Sequence, residues 1–181
     1  AIRANAQNNE VQSAKPDQQN LYNDFFLSYG LGSIFYFADQ SEDWNRQTSG
    51  TIMAGSSRTI NHIINVGFLA AYENVRKEMT DNSYSSVYKY DNNYLQGIAQ
   101  IKFRYLNKPA FSMYSGIGIG ITMNNYTETS SSGTKNKQRL YPAGQMTLLG
   151  FRVGRSLAFF GEFGIGTFQI INAGISYKFG E

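Results

Sequence analysis

The sequence predicts an all-β chain, an eight-stranded antiparallel up-and-down transmembrane β-barrel with a disordered N-terminal tail. Three observations predict it. The first is the end of the chain, where Phe179, Tyr177, Ile175, Ala173 and Ile171 share one face and Lys178, Ser176, Gly174, Asn172 and Ile170 the other. Successive residues of a strand point to opposite faces, so this is a sheet with one apolar face. The second is that the same alternation recurs along nearly all of the 181 residues, leaving no amphipathic helices to cover that face. A sheet of this kind can close on itself and turn its apolar face to lipid. The third is hydropathy. Only 41% of residues are hydrophobic and the mean hydropathy is −0.38. Nothing approaches the run of about 18 apolar residues that a membrane helix needs, whereas a barrel needs an apolar residue only at every second strand position.

Residues 1–20 are polar, rich in Asn and Gln and without periodicity, and read as a flexible tail. Ala4-Asn5-Ala6 fits the small-x-small pattern of a signal-peptidase site, which chance also produces; with no apolar segment before it, the chain reads as an exported form whose signal peptide is gone. Residues 21–181 form the barrel. Strand 1 spans about Tyr22 to Phe37, with Phe25, Leu27, Tyr29, Leu31 and Phe35 on the apolar face. Ala38 to Ser49 is an acidic loop with Asp39, Glu42, Asp43 and the single tryptophan, Trp44. Strand 2, about Gly50 to Thr59, is short and mixed; a tight connection at Ile60 to His62 follows. Strand 3 spans about Ile63 to Met79. Leu69-Ala70-Ala71 favours helix, but the β-branched start and the alternation of Ile64, Val66, Phe68, Ala70 and Tyr72 favour strand.

Strand 4 is expected at about Val87 to Leu106, and Asn107-Lys108-Pro109 is a turn signal. Strand 5, about Ala110 to Tyr126, sets Met113, Ile117, Ile119 and Ile121 against Tyr114, Gly116, Gly118 and Gly120. Thr127 to Lys137 reads as a loop. Strand 6, about Gln138 to Val153, loses its parity near Leu148-Leu149, as a bulge would cause. Strands 7 and 8 follow at about Ala158 to Ile165 and Phe168 to Phe179. The connections alternate long and short until the last, as short periplasmic turns and longer outer loops do. An even strand count then puts both termini on the periplasmic side.

Composition removes several functions. The absence of cysteine excludes disulfides, thiolate metal sites and a lipid on an N-terminal cysteine. One histidine leaves little with which to hold a metal, and no cofactor is expected. A net charge of +3, scattered along the chain, points away from nucleic acid. Gly116-Ile117-Gly118-Ile119-Gly120 continues a strand and opens no helix, so it is not a phosphate loop; its glycines are expected to make room for Tyr114.

Asp24, Glu73, Lys102, Arg104, Glu162 and Lys178 all lie opposite the aliphatic face. In a soluble lipocalin-like barrel they would be solvated outside. In a membrane barrel they form an interior charge network whose members must pair, because isolated buried charges are costly. Eight strands enclose a space just wide enough for side chains to fill, which excludes a general porin. An esterase-type site would have to use His62, which has no Ser two residues on and sits at a predicted short turn. Lys135, Lys137 and Arg139 make a basic segment suited to the phosphates of lipopolysaccharide, or simply to water.

Leu27 to Gly32, Ile101 to Lys108, Tyr114 to Gly118, Gly161 to Gly166 and Ala173 to Phe179 carry a resemblance. Over residues 21–181 the chain resembles the small eight-stranded outer-membrane β-barrel proteins, and most of all a poorly characterised barrel family of the Bacteroidota. One departure is Gly180-Glu181, since the assembly signal of such barrels usually ends on the aromatic residue. The resemblance implies a bacterial outer-membrane location but brings no activity with it. The expected function is non-enzymatic: a structural or accessory component of the outer membrane, in contact with outer-membrane lipid and lipopolysaccharide and with other outer-membrane proteins. A lipid-A-modifying enzyme, or a narrow pore or small-ligand binder, is the alternative.

Overall fold

Each alternating segment is a strand in the computed structural model, which describes residues 21–33, 45–81, 86–130, 133–167 and 169–180. The N-terminal tail, residues 34–44 with Asp39, Glu42, Asp43 and Trp44, and Phe168 lie outside the described residues, whereas Asn45 to Ser49 of the expected acidic loop belong to a strand. The strands are β1 Asn23–Leu31, β2 Asn45–Thr59, β3 Ile64–Asp81, β4 Ser86–Lys108, β5 Phe111–Ser130, β6 Gly133–Gly154, β7 Leu157–Gly166 and β8 Ile171–Phe179. Each pairs antiparallel with its neighbour in sequence, and β1 pairs with β8 from Asn23 opposite Phe179 to Leu31 opposite Ile171. The sheet is therefore a closed ring without edges.

The apolar face is the outer one. Ile119 is 76% exposed and Phe159 73%. A lipocalin-like barrel would bury that face around a ligand, so the soluble alternative is excluded. On β4 the outward run from Leu95 to Tyr105 covers ten residue steps, beyond which Asn93, Asp91 and Lys89 are polar. Ten steps at about 3.3 Å give roughly 33 Å along the strand, or roughly 25 Å in height at a tilt of about 40°, which matches a bilayer's apolar band. Aromatic residues mark both rims. Phe103, Tyr105, Phe151, Tyr177 and Phe179 ring the end that holds the termini, and Tyr29 and Tyr72 stand at the other. Each of the latter phenols finds a polar partner: Tyr29 donates to the Ser49 carbonyl at 2.7 Å and Tyr72 to Asn93 Oδ1 at 2.7 Å. An apolar ring body with a wet tip suits the membrane interface.

Several expected boundaries are corrected. β1 stops at Leu31, because Gly32 takes a φ of 82° and turns the chain inward. β2 does not start at Gly50 but runs through it: Gly50, with a φ of 69°, sits at a bulge between Thr48 and Thr51, beneath the Tyr29 ring. The largest difference lies at the mouth opposite the termini. Thr127 to Ser130 and Gly133 to Lys137 are not loop; β5 and β6 stay in continuous register from Gly116 opposite Thr147 to Ser130 opposite Gly133. β3 and β4 likewise stay paired out to Asp81 opposite Ser86. The described residues of the expected long connections are thus paired strand. β8 starts at Ile171 rather than Phe168, after a turn in which Gln169 is buried against Gly30.

Inside the ring, Phe26, Met53, Leu69, Ala71, Ile98, Ala143 and Phe160 form an apolar layer. Phe26 and Phe160 meet edge to face with centroids 5.9 Å apart. The glycines of β5 serve this packing differently than expected. A Cβ at Gly118 would stand 2.6 Å from Ile98 Cγ2, and one at Gly116 would press on the Lys102 stem at 3.1 Å. It is Gly150 of β6 that lies under the Tyr114 ring.

Candidate functional site

Alternation alone brings Lys102, Tyr114, Glu162 and Asn172 into the barrel from β4, β5, β7 and β8. Glu162 is their centre. Lys102 Nζ donates to its Oε1 at 2.6 Å, Tyr114 donates to the same oxygen at 2.7 Å, and Asn172 Nδ2 donates to Oε2 at 2.9 Å. The side chains of Lys102 and Glu162 are only 13% and 9% exposed. The ammonium also lies 4.9 Å from the Tyr114 ring centroid and 5.2 Å from that of Phe26. This cluster abuts the apolar layer through Phe26 and Phe160.

Nearer the termini, Asp24 pairs with a residue the sequence reading missed. Arg152 Nε stands 3.7 Å from Asp24 Oδ2 and donates to Ser176 Oγ at 2.8 Å. Its other nitrogens donate to the carbonyls of Gly154, Arg155 and Ser156 at 3.0 to 3.2 Å, tying down the β6–β7 turn. Parity in strand 6 hid it: the bulge is real, with a register shift between Thr147 and Leu149. Counting back from Gly154, with Phe151 and Val153 outward, would have placed Arg152 inside.

Glu73 does not join the cations, contrary to expectation. It is 1% exposed and takes hydrogen bonds from Ser33 Oγ at 2.9 Å and Thr48 Oγ1 at 3.0 Å, on the far side of the apolar layer. Arg104 donates Nη2 to Thr59 Oγ1 at 2.8 Å and to Asn65 Oδ1, and packs 5.0 Å from the Tyr22 ring centroid. Lys178 Nζ lies 4.0 Å from the same ring. The six expected interior charges all face inward, but they divide into one tight ion pair, one looser pair completed by Arg152, and three groups held by neutral partners.

The basic segment is also placed differently. Lys135, Lys137 and Arg139 are exposed on the β5–β6 hairpin, in register with Glu128, Tyr126 and Asn124. That face continues the inner wall, through Asn124 and the fully buried Thr122, so the three cations overlook the barrel mouth rather than the surrounding lipid. Tyr90 and Tyr126 stack there with centroids 6.0 Å apart and planes within 5°. Both donate to Glu128, at 3.3 Å and 2.8 Å. The Tyr126 hydrogen bond holds the Glu128 carboxyl below its usual range, and Lys137 Nζ lies 6.0 Å from the Tyr126 ring. The rim is a paired, tyrosine-bearing and cationic surface. On the outward side of β2–β4, Asp91 takes Asn74 Nδ2 at 2.5 Å and Arg76 Nε at 3.2 Å, so that patch satisfies its own charges.

His62 is exposed in the four-residue β2–β3 connection, on the end that holds the termini. Asn61 makes that turn: its Oδ1 accepts the Ile63 and Ile64 amides at 2.9 and 2.8 Å. No cluster of three metal-ligating side chains occurs among the described residues.

No family model matches the sequence, and no curated protein does. Among solved structures, the chain is similar to the N-terminal β-barrel domain of Pseudomonas aeruginosa OprF, at 10% identity and a TM-score of 0.40, over 89% of this chain and 98% of that one. It is also similar to Ail, the attachment invasion locus protein of Yersinia pestis, at 10% identity and a TM-score of 0.44, over 89% of this chain and 99% of that one.

Proposed function

We propose that this chain is a non-enzymatic integral protein of the bacterial outer membrane, with its termini on the periplasmic side. It acts as a structural or accessory component, of the kind its sequence resembles in the Bacteroidota. The location is supported by an apolar wall of bilayer height between two aromatic rims. The role is supported by the filled interior. Glu162, Lys102, Tyr114 and Asn172 are bonded to one another inside the barrel next to an apolar layer, which speaks against a path for solute. What remains for function is the rim on β3–β6, which faces away from the termini. There Lys135, Lys137, Arg139 and the stacked tyrosines suit an anionic partner, either another outer-membrane protein or the phosphates of lipopolysaccharide bent over the mouth.

The test is purification from the native membrane in mild detergent, comparing wild type with a chain in which residues 125–138 are replaced by an Asn-Gly turn. Co-purifying protein or lipopolysaccharide should be lost from the trimmed chain while its barrel remains folded. Equal recovery with both chains would remove the rim from the proposal.

His62→Ala should leave lipid A unchanged, because the histidine stands in an exposed turn at the end assigned to the periplasm. Mass spectrometry of lipid A from cells expressing wild type, His62→Ala or neither checks this. An acyl-chain change present with wild type and absent with His62→Ala would make the protein a lipid-A-modifying enzyme.

A further inference from the structure

We propose that the rim binds its partner by strand addition: the open edge of β6 from Thr134 to Leu140 takes up an extended, acidic segment of another protein as a further strand. This mode of binding rests on the rim being the functional surface and makes its partner a protein. The ring has no edge only as far as its shorter strands reach. β7 ends at Gly166, opposite Gln145, whereas β6 continues to Gly133. On one side those residues stay paired with β5. On the β7 side no strand lies beside them among the described residues.

The backbone decides which groups are open. The Gly144 carbonyl accepts the Thr167 amide at 2.9 Å, so the backbone groups of Gly144 point to the β7 side. In an antiparallel ladder that direction alternates from residue to residue, and the β5–β6 register is unbroken from Gly144 to Gly133. The N–H and C=O groups of Leu140, Gln138, Asn136 and Thr134 therefore point to the open side. Pro142 falls in the same set. It stands opposite Ile121 without a register shift, as a proline can where its missing N–H faces away from the paired strand. At about 3.4 Å per residue the edge from Thr134 to Leu140 spans roughly 20 Å. All of it is exposed, and Leu140 is level with Met123 at the top of the apolar wall, so the rest lies in water.

An open edge pairs with any extended chain that its side chains do not repel. Here they select. Lys135, Lys137 and Arg139 stand at every second position on the mouth side, while Thr134, Asn136, Gln138 and Leu140 on the other side carry no charge. The β5 residues opposite the cations do not neutralise them. Tyr126 and Asn124 are uncharged, and Glu128 is engaged by two phenols. A second copy of this edge, laid antiparallel with its faces matched, would set cation against cation, which is destabilising. A strand with acidic residues at alternate positions sets a carboxylate beside each cation and fills the backbone row as well. A lipopolysaccharide phosphate would use the cations and leave that row idle.

The test titrates a short fluorescent peptide, glutamate alternating with threonine, onto the purified barrel in zwitterionic detergent and follows its anisotropy. Wild type should bind it saturably. Gln138→Pro should weaken binding by at least about tenfold, because it removes one donor and sets a ring in the path of the added strand while leaving the β5 side and every charge in place. Gln138→Ala, which loses the same side chain, should bind as wild type does. The peptide methylated at every backbone nitrogen keeps its carboxylates and should bind wild type at least about tenfold more weakly; this arm carries the test should Gln138→Pro fail to fold. Equal affinity for the methylated peptide, or for a folded Gln138→Pro, would mean that charge alone attracts the peptide and would overturn strand addition. So would the absence of binding to wild type. Purified lipopolysaccharide bound equally by wild type and Gln138→Pro, with no peptide bound, would make the partner a lipid phosphate: strand addition would fall and the rim would stand. The rim itself falls only if the chain trimmed over residues 125–138 recovers its partners as wild type does.

Discussion

Glu162→Gln should destabilise the barrel by about 3–5 kcal/mol, the usual cost of removing one partner of a buried ion pair. The loss does not come mainly from the vanished attraction. It comes from Lys102, which keeps its charge in a side chain 13% exposed and walled by the rings of Phe26, Tyr114 and Phe160. Glutamine keeps one oxygen for Tyr114 but puts an NH2 group where Asn172 Nδ2 now donates, so Asn172 has to turn its amide and offer Oδ1 instead; with that turn the hydrogen bonds change less than the electrostatics. Urea titration of folding into phosphatidylcholine bilayers measures the difference. Glu128→Gln is the control, because that carboxylate is at the wet rim and its loss strands no buried charge; its effect should be clearly smaller. A second check is the double variant Lys102→Met with Glu162→Gln, which should recover part of the loss by removing the stranded cation. Equal stabilities for Glu162→Gln and Glu128→Gln would mean that the interior is hydrated enough to tolerate a lone ammonium.

Ile119→Arg should cost about 2–4 kcal/mol in a bilayer, the range for arginine at the midplane of a barrel's lipid face. Ile119 is near the middle of the outward run from Met113 to Met123, flanked by Ala99 on β4 and Gly144 on β6. At 76% exposure it touches little protein, so hardly any of the effect can be lost packing. Asn125→Arg, one outward position beyond Met123, should cost roughly 0–1 kcal/mol, because the guanidinium there reaches water. The same bilayer titration reads both. Similar values at the two positions would place the membrane elsewhere on the barrel.

Where one side of a strand meets lipid and the other a packed interior, the pattern in the sequence was enough. β3, β4 and β5 face as the alternation of Phe68, Ile101 and Ile119 with Leu69, Lys102 and Gly118 requires. Legibility ended where that contrast ended. Beyond Asn124 both faces of the β5–β6 hairpin meet water, so Thr127 to Ser130 and Gly133 to Lys137 carry the Ser, Thr, Gly and Lys of a loop although they pair as strand. The inward aim of Lys135, Lys137 and Arg139 was hidden for the same reason, because it depends on the ladder being unbroken. Arg152 was lost to the bulge at Thr147–Leu149, since one extra residue inverts every face beyond it. The hydroxyl partners of Glu73 were not legible at all. Ser33 reaches it only because Gly32 turns β1 inward, and nothing in the composition marks that contact.

The paired rim has a thermodynamic consequence. Ordering a flexible segment costs about 1–2 kcal/mol per residue in backbone conformational entropy alone, and a loop that closes on its partner meets that cost during binding. Here the residues from Asn125 to Ser130 and from Gly133 to Gln138 are already held by the β5–β6 ladder. Their ordering is met once, when the barrel folds, and is driven by the wall and interior below. A ligand at the mouth therefore meets a surface fixed in advance, and its affinity need not contain a reserve for arranging the chain that receives it.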